Sequence, residues 1–225
     1  MWRRALILAA LVGLTVGCLE IPGKHVLYLE PDGAVTWTVL EEEIRFDAES
    51  REARLRQEKE FLDLVAAHEH VAAVALSALY PRTLDSRMLR EDAPQTVWTE
   101  ASYPGIDLVY RNLFDLMGMP AVVELELEED RTRLVITAWP GADEPEGNED
   151  AIDEEAGEML LALFAKCRIV LSEGKFVSAE GFEIIDDGIA VQPTEVDTEE
   201  AEENNTPVTL SLTWTTGEDS AREGT

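Results

Sequence analysis

Apolar and polar residues alternate along several short stretches of the chain, which is the period-2 pattern of strands with one buried face. The clearest stretch is residues 121–128, where valine and leucine alternate with glutamate. Turn residues such as Pro31-Asp32-Gly33 join neighbouring stretches into hairpins. Strands are predicted at residues 25–30, 34–40, 84–90, 95–102, 121–128, 131–139, 168–171, 175–178, 182–185, 189–191 and 208–215. The pattern therefore predicts a largely antiparallel sheet built from hairpins.

Other stretches carry apolar residues at the three- and four-residue spacing of amphipathic helices. The first of these stretches begins near residue 48, and the other three cover residues 71–79, 106–117 and 150–166. Asp47 is expected to cap the first helix, with Leu55, Leu62 and Val65 on its apolar side. The first two stretches form either one long helix or a bent pair. Because strands and helices do not alternate regularly, the fold class is predicted to be α+β, with three to four helices packed on the sheet.

Acidic segments poor in apolar residues interrupt this pattern. Two of them, at about residues 141–150 and 195–206, are expected to be loops. One domain is therefore predicted over about residues 24–216, followed by a disordered tail at 217–225. An alternative domain boundary lies at about residues 143–150.

The amino-terminal segment has a different composition. Arg3 and Arg4 precede an uncharged, mostly apolar run at residues 5–16, which ends at Gly17-Cys18. This order is typical of an export signal peptide. As a helix the run would span roughly 18 Å, against a membrane core of about 30 Å. A signal peptide at residues 1–17 is thus favoured over an uncleaved membrane helix.

The segment Leu14-Thr15-Val16-Gly17-Cys18 resembles the lipobox of bacterial lipoproteins, in which a small residue precedes a cysteine. The resemblance implies that a diacylglyceryl group is attached to the thiol of Cys18 and that the chain is cut between Gly17 and Cys18. Residues 18–23 would then be a lipidated tether. An ordinary cleaved signal peptide is the alternative. In a host with two membranes, Leu19 after the cysteine implies the periplasmic side of the outer membrane.

The charge of the chain excludes one class of partner. The sequence has 18 basic and 47 acidic residues, a formal net charge of −29. Such a surface repels phosphate backbones, so no nucleic-acid binding is expected. It also repels anionic lipid head groups. Contact with the membrane is therefore expected only through the lipid on Cys18.

The chain has 2 cysteines, Cys18 and Cys167. If Cys18 is acylated, Cys167 has no partner within the chain for a disulfide. Cys167 is expected to be a small buried hydrophobic residue and not a catalytic thiol.

His68 and His70 form the only histidine pair that suggests a metal site. Residues two apart point to opposite sides of a helix, whereas helical metal ligands are commonly four apart. The pair is therefore expected to be partly exposed helix residues without a metal. The acidic segments do not match a calcium-binding loop either. No metal and no cofactor are expected.

The sequence contains no nucleophile elbow, phosphate-binding loop or dinucleotide-binding motif. It therefore favours a non-catalytic binding or interaction module at the cell envelope, with a protein partner or a small apolar ligand. The alternative is an exported hydrolase that uses paired carboxylates. Trp37, Trp98, Trp139 and Trp214 fall one to a predicted strand, where they either fill the core or line an apolar pocket.

Overall fold

The computed structural model describes residues 23–139, 160–194 and 201–215, apart from 47, 49, 161, 166, 202, 203 and 205. The signal peptide with Gly17 and Cys18, the tether before residue 23, the acidic segment at 141–150 and the tail at 217–225 lie outside the described residues. None of the described helices is long and apolar enough to cross a membrane.

The described residues form eleven strands, three α-helices of defined extent and a short 3-10 helix at Asp186–Gly188. The strands are β1 Gly23–Leu29, β2 Val35–Ile44, β3 Thr83–Arg90, β4 Gln95–Tyr103, β5 Ala121–Leu127, β6 Arg131–Ala138, β7 Arg168–Leu171, β8 Phe176–Glu180, β9 Phe182–Ile185, β10 Ala190–Pro193 and β11 Val208–Thr215. The helices are α1 Arg51–Ala67, α2 Val71–Ser77 and α3 Ile106–Leu116. The α+β class is thus confirmed. Strands dominate, and the number of helices is at the low end of the expectation.

The strands form two sheets and not one. The large sheet has the order β3-β4-β2-β1-β7-β10-β9, and the small sheet has the order β5-β6-β11-β8. Within the described residues all pairs are antiparallel except β1 with β7, which run parallel. The predicted preference for antiparallel hairpins is confirmed, whereas the expectation of a single sheet is wrong.

The turn between β1 and β2 connects the two sheets. The carbonyl oxygen of Pro31 accepts a hydrogen bond from Thr132 Oγ1 on β6 at 3.2 Å and from Trp214 Nε1 on β11 at 3.4 Å. The backbone N–H of Ile106, at the start of α3, donates to the carbonyl of Gly33 at 2.8 Å. Gly33 has φ of 89°, a conformation that glycine adopts without steric cost. This turn therefore fixes the large sheet, the small sheet and α3 to one another.

A single apolar core lies between these elements. It includes Leu27 and Trp37 of the large sheet, Leu134 of the small sheet and Leu113 of α3, all at most 1% exposed. The Trp37 ring packs edge-on against Phe164, with ring centroids 4.7 Å apart. Full burial of one such side chain stabilises the fold by about 1.5–3 kcal/mol. Cys167, the cysteine within the described residues, is a free thiol that belongs to this core.

Helix α1 starts later than predicted and buries less. Its amino-terminal cap is Ser50, whose Oγ accepts a hydrogen bond from the backbone N–H of Ala53 at 3.1 Å. The predicted cap, Asp47, lies outside the described residues. Leu55 was expected on the apolar side but is 51% exposed, and Val65 is the only fully buried residue of the helix. The reason is that α1 packs against β3, an edge strand, which covers little of its length.

Two further predictions fall partly on described residues. In the helix expected at 150–166, residues 160 and 162–165 are described and are helical. In the acidic loop expected at 195–206, residues 201 and 204 are helical, and the backbone N–H of Thr206 donates to the carbonyl of Ala201 at 3.0 Å.

Candidate functional site

The two histidines singled out from the sequence lie in a break between helices. His68 ends α1 in the left-handed conformation, with φ of 58°, and its N–H donates to the carbonyl of Val65 at 3.1 Å. His70 precedes the first residue of α2 in an extended conformation. His68 is exposed, whereas His70 is only 2% exposed. The prediction of two partly exposed helix residues is therefore wrong, because both residues lie in the break outside the helices and the break turns the ring of His70 into the interior.

His70 is the centre of a buried polar cluster. Its Nε2 atom lies 2.9 Å from Thr99 Oγ1 on β4, and Ser86 Oγ on β3 donates to that same oxygen at 3.4 Å. His70 Nε2 also lies 3.4 Å from Glu41 Oε2 on β2, an ion-pair distance without hydrogen-bond geometry. Ser86, Thr99 and His70 are buried. The cluster thus ties the start of α2 to three adjacent strands of the large sheet.

The arrangement of this cluster differs from that of a catalytic triad. In a triad the histidine contacts the nucleophile through one ring nitrogen and the acid through the other. Here Thr99 and Glu41 both approach Nε2 of His70, and Nδ1 has no hydrogen-bond partner among the described residues. Thr99 is 0% exposed, so a substrate has no access to its hydroxyl. The described residues contain no group of three or more metal-binding side chains either. The cluster therefore supports the fold and does not present a nucleophile.

Cys167 is a buried thiol at the end of the helical segment 162–165. Burial raises its pKa to about 12, and Sγ lies 3.9 Å from the carbonyl oxygen of Arg168. A thiol with such a pKa stays protonated at neutral pH and is a poor nucleophile. Cys167 thus behaves as the small hydrophobic residue that the sequence predicts.

The tryptophans do not line a common pocket. Trp37 and Trp214 are both 0% exposed, in the parts of the core next to the large and the small sheet. Trp98 points to the opposite face of the large sheet from Trp37, where the guanidinium of Arg87 lies 4.4 Å from its ring centroid. Trp139 is half-buried at the end of β6. The core interpretation is thus confirmed for Trp37 and Trp214, while Trp98 faces outward beneath an arginine.

Strand β5, at one edge of the small sheet, presents an acidic surface. Glu124, Glu126 and Glu128 are exposed, whereas Val123, which precedes them, is buried and Leu125 is half-buried. This confirms the predicted alternation along residues 121–128. Leu127, which was expected on the inward face, is 64% exposed because it lies at the end of the strand beside the turn. We call the free side of β5, from residue 122 to residue 128, the acidic edge.

The backbone of the acidic edge is only partly paired. The N–H of Glu128 donates to the carbonyl of Arg131 at 2.9 Å, so even-numbered residues of β5 bond to β6 and odd-numbered residues point away from it. One of these outward groups, the carbonyl of Val123, accepts a hydrogen bond from Arg111 Nη2 of α3 at 3.2 Å. Among the described strands, β5 pairs only with β6. Leu125 and Leu127 therefore present backbone groups to the free side.

The sequence pattern indicated the buried polar cluster around His70, but it did not indicate the contact of Arg111 with the acidic edge. The predicted strand ended at residue 40, yet continuing its alternation from Val39 places Glu41 on the inward face. A carboxylate at a core position indicates a buried polar partner. Arg111 has no comparable sequence sign, because its contact with Val123 depends on how α3 packs beside β5.

Comparison with known proteins identifies no family. No protein-family description matches the chain, and no curated protein matches it. Among solved structures it is similar to the folded domain of LppM from Mycobacterium tuberculosis, determined by NMR. The alignment covers 90% of this chain and 95% of that domain, with 8% identity and a TM-score of 0.32. An identity and a TM-score this low support no inference about function.

Proposed function

We propose that the protein is a lipid-anchored, exported envelope protein whose domain is a non-catalytic interaction module facing the periplasm or the cell exterior. The lipobox-type segment that ends at Gly17-Cys18 supports the anchor. Two or three acyl chains on Cys18 would hold the protein durably, whereas a single chain binds a membrane only weakly. In a host with two membranes, Leu19 after the cysteine favours the periplasmic side of the outer membrane.

The path of β1 separates the small sheet from the point at which the proposed tether joins the domain. The chain between Cys18 and Gly23 can span at most about 18 Å. Strand β1 starts at Gly23 and extends for about 20 Å to the turn at residues 31–33. The small sheet is hydrogen-bonded to that turn through Thr132 and Trp214. It therefore lies at the end of β1 opposite to Gly23, where the proposed tether joins the domain.

The placement of the reactive side chains carries the proposal that the module is non-catalytic. The thiol of Cys167, the ring of His70 and the hydroxyl of Thr99 are all buried and engaged in packing or hydrogen bonds. What the small sheet offers to solvent is instead a strand edge with exposed glutamates. Such an arrangement suits recognition of another molecule better than chemistry on it.

Metabolic labelling with radioactive palmitate tests the anchor. The full-length protein should incorporate the label and partition into the detergent phase of a Triton X-114 extract. The Cys18→Ala variant should do neither, while Cys167→Ala serves as the matched control and should label normally. Labelling of the Cys18→Ala variant, or none of the unaltered protein, would refute the anchor.

Crosslinking in intact cells tests the interaction module. The lipidated protein, purified from crosslinked envelopes, should carry one reproducible envelope protein in stoichiometric amount. The Cys18→Ala variant, which is released from the membrane, should lose that protein or retain much less of it. Hydrolase activity of the purified domain that depends on a pair of carboxylates would contradict the non-catalytic role.

A further inference from the structure

We propose that the acidic edge binds an extended polypeptide segment in which basic and apolar residues alternate, and that the segment adds to the small sheet as a further strand beside β5. The inference deepens the proposed function, on which it rests, by naming the class of partner. It is carried by the unpaired backbone of β5 together with the side chains on its two faces.

The backbone of β5 supplies the docking groups. Its odd-numbered residues direct their N–H and C=O groups away from β6, and Arg111 occupies only the carbonyl of Val123. Within the part of the chain that the structure describes, the outward backbone groups of Leu125 and Leu127 have no partner. Their spacing of two residues is the repeat at which an added strand forms its main-chain hydrogen bonds. A strand of an extended partner can therefore pair with this end of β5 without displacing β6.

The two faces of β5 require different side chains from the added strand. On the solvent face, a residue opposite Glu124 or Glu126 lies within reach of a carboxylate. Glu126 already lies 3.8 Å from Arg133, whereas Glu124 has no ion-pair partner among the described residues. On the other face, the partner meets the exposed side chain of Leu127. Lysine or arginine alternating with an aliphatic residue matches both faces.

The charge of the edge excludes a second copy of the chain as the occupant. Pairing of two β5 edges would place glutamates opposite glutamates, and like charges that face each other across strands are destabilising. Charged side chains on an edge strand are a common protection against self-association. The same residues that repel another copy attract a basic strand, so the edge is selective.

The acidic segments of the chain itself are unsuitable for the same reason. Residues 141–150 and 195–205 contain acidic residues but no lysine or arginine. Either segment would bring more negative charge to Glu124 and Glu126. The partner is therefore a separate, basic polypeptide.

A direct binding measurement on the mature lipidated protein in nanodiscs of neutral phosphatidylcholine tests the proposal. The probe is a fluorescent peptide of eight residues in which lysine and valine alternate, and the readout is fluorescence anisotropy. Binding is expected, and it should weaken several-fold between 50 and 200 mM salt because the charges are exposed. Two control peptides, one with glutamate in place of lysine and one with four lysines followed by four valines, should bind at least about tenfold more weakly.

Two sets of variants locate the binding on β5. The pair Glu124→Gln and Glu126→Gln together should weaken binding about threefold to tenfold. Leu127→Pro should abolish it, because proline removes an N–H that points to the free side while leaving the bonds to β6 intact. The double change Glu60→Gln and Asp63→Gln on α1 removes the same charge from exposed positions elsewhere and should leave binding unchanged.

The outcomes separate strand addition from simple attraction of charge. If the block peptide binds as well as the alternating one, or if Leu127→Pro binds normally while remaining folded by circular dichroism, the peptide is held by charge alone and the proposal is wrong. Failure of the alternating peptide to bind also overturns it. The protein enters the nanodiscs only after palmitate labelling has established its lipidation, and the peptide assay needs no crosslinked partner. Failure of the peptide to bind is therefore distinguishable from failure of the proposed function.

Discussion

The side chain of Arg111 on α3 donates a hydrogen bond from Nη2 to the backbone carbonyl of Val123 on β5, over 3.2 Å. The same guanidinium lies 3.5 Å from Asp107, one helical turn earlier. A helix side chain thus caps one outward-pointing group of an edge strand. The contact joins α3 to the small sheet, in addition to the apolar core that they share.

Replacement of Arg111 by methionine, which keeps much of the aliphatic length, should lower the free energy of unfolding by about 1 kcal/mol. Arg54→Met on α1 is the matched control. Arg54 is as exposed as Arg111 and lies 3.6 Å from Glu58 in an ion pair of the same spacing, so its loss should cost only about 0.3–0.5 kcal/mol. Urea unfolding measures both values. Equal costs would mean that the contact with Val123 contributes nothing.

The bond between His70 and Thr99 should stabilise the large sheet. Thr99→Val keeps the shape of the side chain but leaves the buried Nε2 of His70 without its partner on β4, so we expect a loss of about 1–3 kcal/mol. Thr96→Val on the other face of β4, where residue 96 is half-buried, should change stability by less than about 0.5 kcal/mol. Thermal unfolding of both variants compares the two faces, and an equally small effect at Thr99 would contradict the role of the cluster.

Local pattern predicted most of the strands because each has one covered face. The clearest examples are β7 at residues 168–171 and β11 at residues 208–215, whose predicted and observed bounds coincide. In both, the apolar residues that define the pattern are those that meet the core. The side chains that contact the core must be apolar, so the pattern of burial along a strand also sets the period of its sequence.

What depends on contacts between distant parts of the chain could not be predicted. The parallel pairing of β1 with β7 and the division into two sheets arise from long-range packing. The local pattern of apolar and polar residues contains no information about such packing. The burial of His70 depends on a single residue, His68, whose left-handed backbone interrupts an otherwise continuous helical pattern. The acidic face of β5 was predicted, but its position at a sheet edge beside Arg111 was not.

Tyr103 should make stability depend on pH in the alkaline range. Burial raises the pKa of its hydroxyl above the ordinary value of 10.0, and the hydroxyl donates to the carbonyl of Leu76 at 2.9 Å. Above about pH 10 the unfolded chain releases this proton while the folded chain retains it, so stability falls as the pH rises. Tyr103→Phe should cost about 1 kcal/mol at pH 7 but reduce the slope of stability against pH above 10.

The control for Tyr103 is Tyr80→Phe, which alters a side chain that is 70% exposed. It should change neither the stability at pH 7 nor the alkaline slope. Guanidinium unfolding at a series of pH values from 7 to 11 gives both quantities. A Tyr103→Phe protein with an unaltered slope would show that this hydroxyl is not responsible for the pH dependence.

Cys167 should report on opening of the core. In a Cys18→Ala background it is the remaining cysteine, and its buried thiol, with a pKa of about 12, should react with Ellman's reagent at pH 8 at least about a hundredfold more slowly than in urea. The rate in the folded protein should rise when the core is loosened by Thr99→Val. Rapid reaction of Cys167 without denaturant, in a protein whose core is otherwise unaltered, would contradict this expectation.

The turn at residues 31–33 also sets the order in which the domain can be completed. Pro31 bonds to Thr132 and to Trp214, which are 101 and 183 positions further along the chain. A chain that crosses a membrane amino-terminal end first delivers β1 and β2 long before these partners. The apolar face of the first hairpin therefore stays uncovered until these partners are present. Contacts over such sequence distances also make folding slow. If the protein is exported as proposed, its earliest-emerging strands need protection until the last strand has arrived.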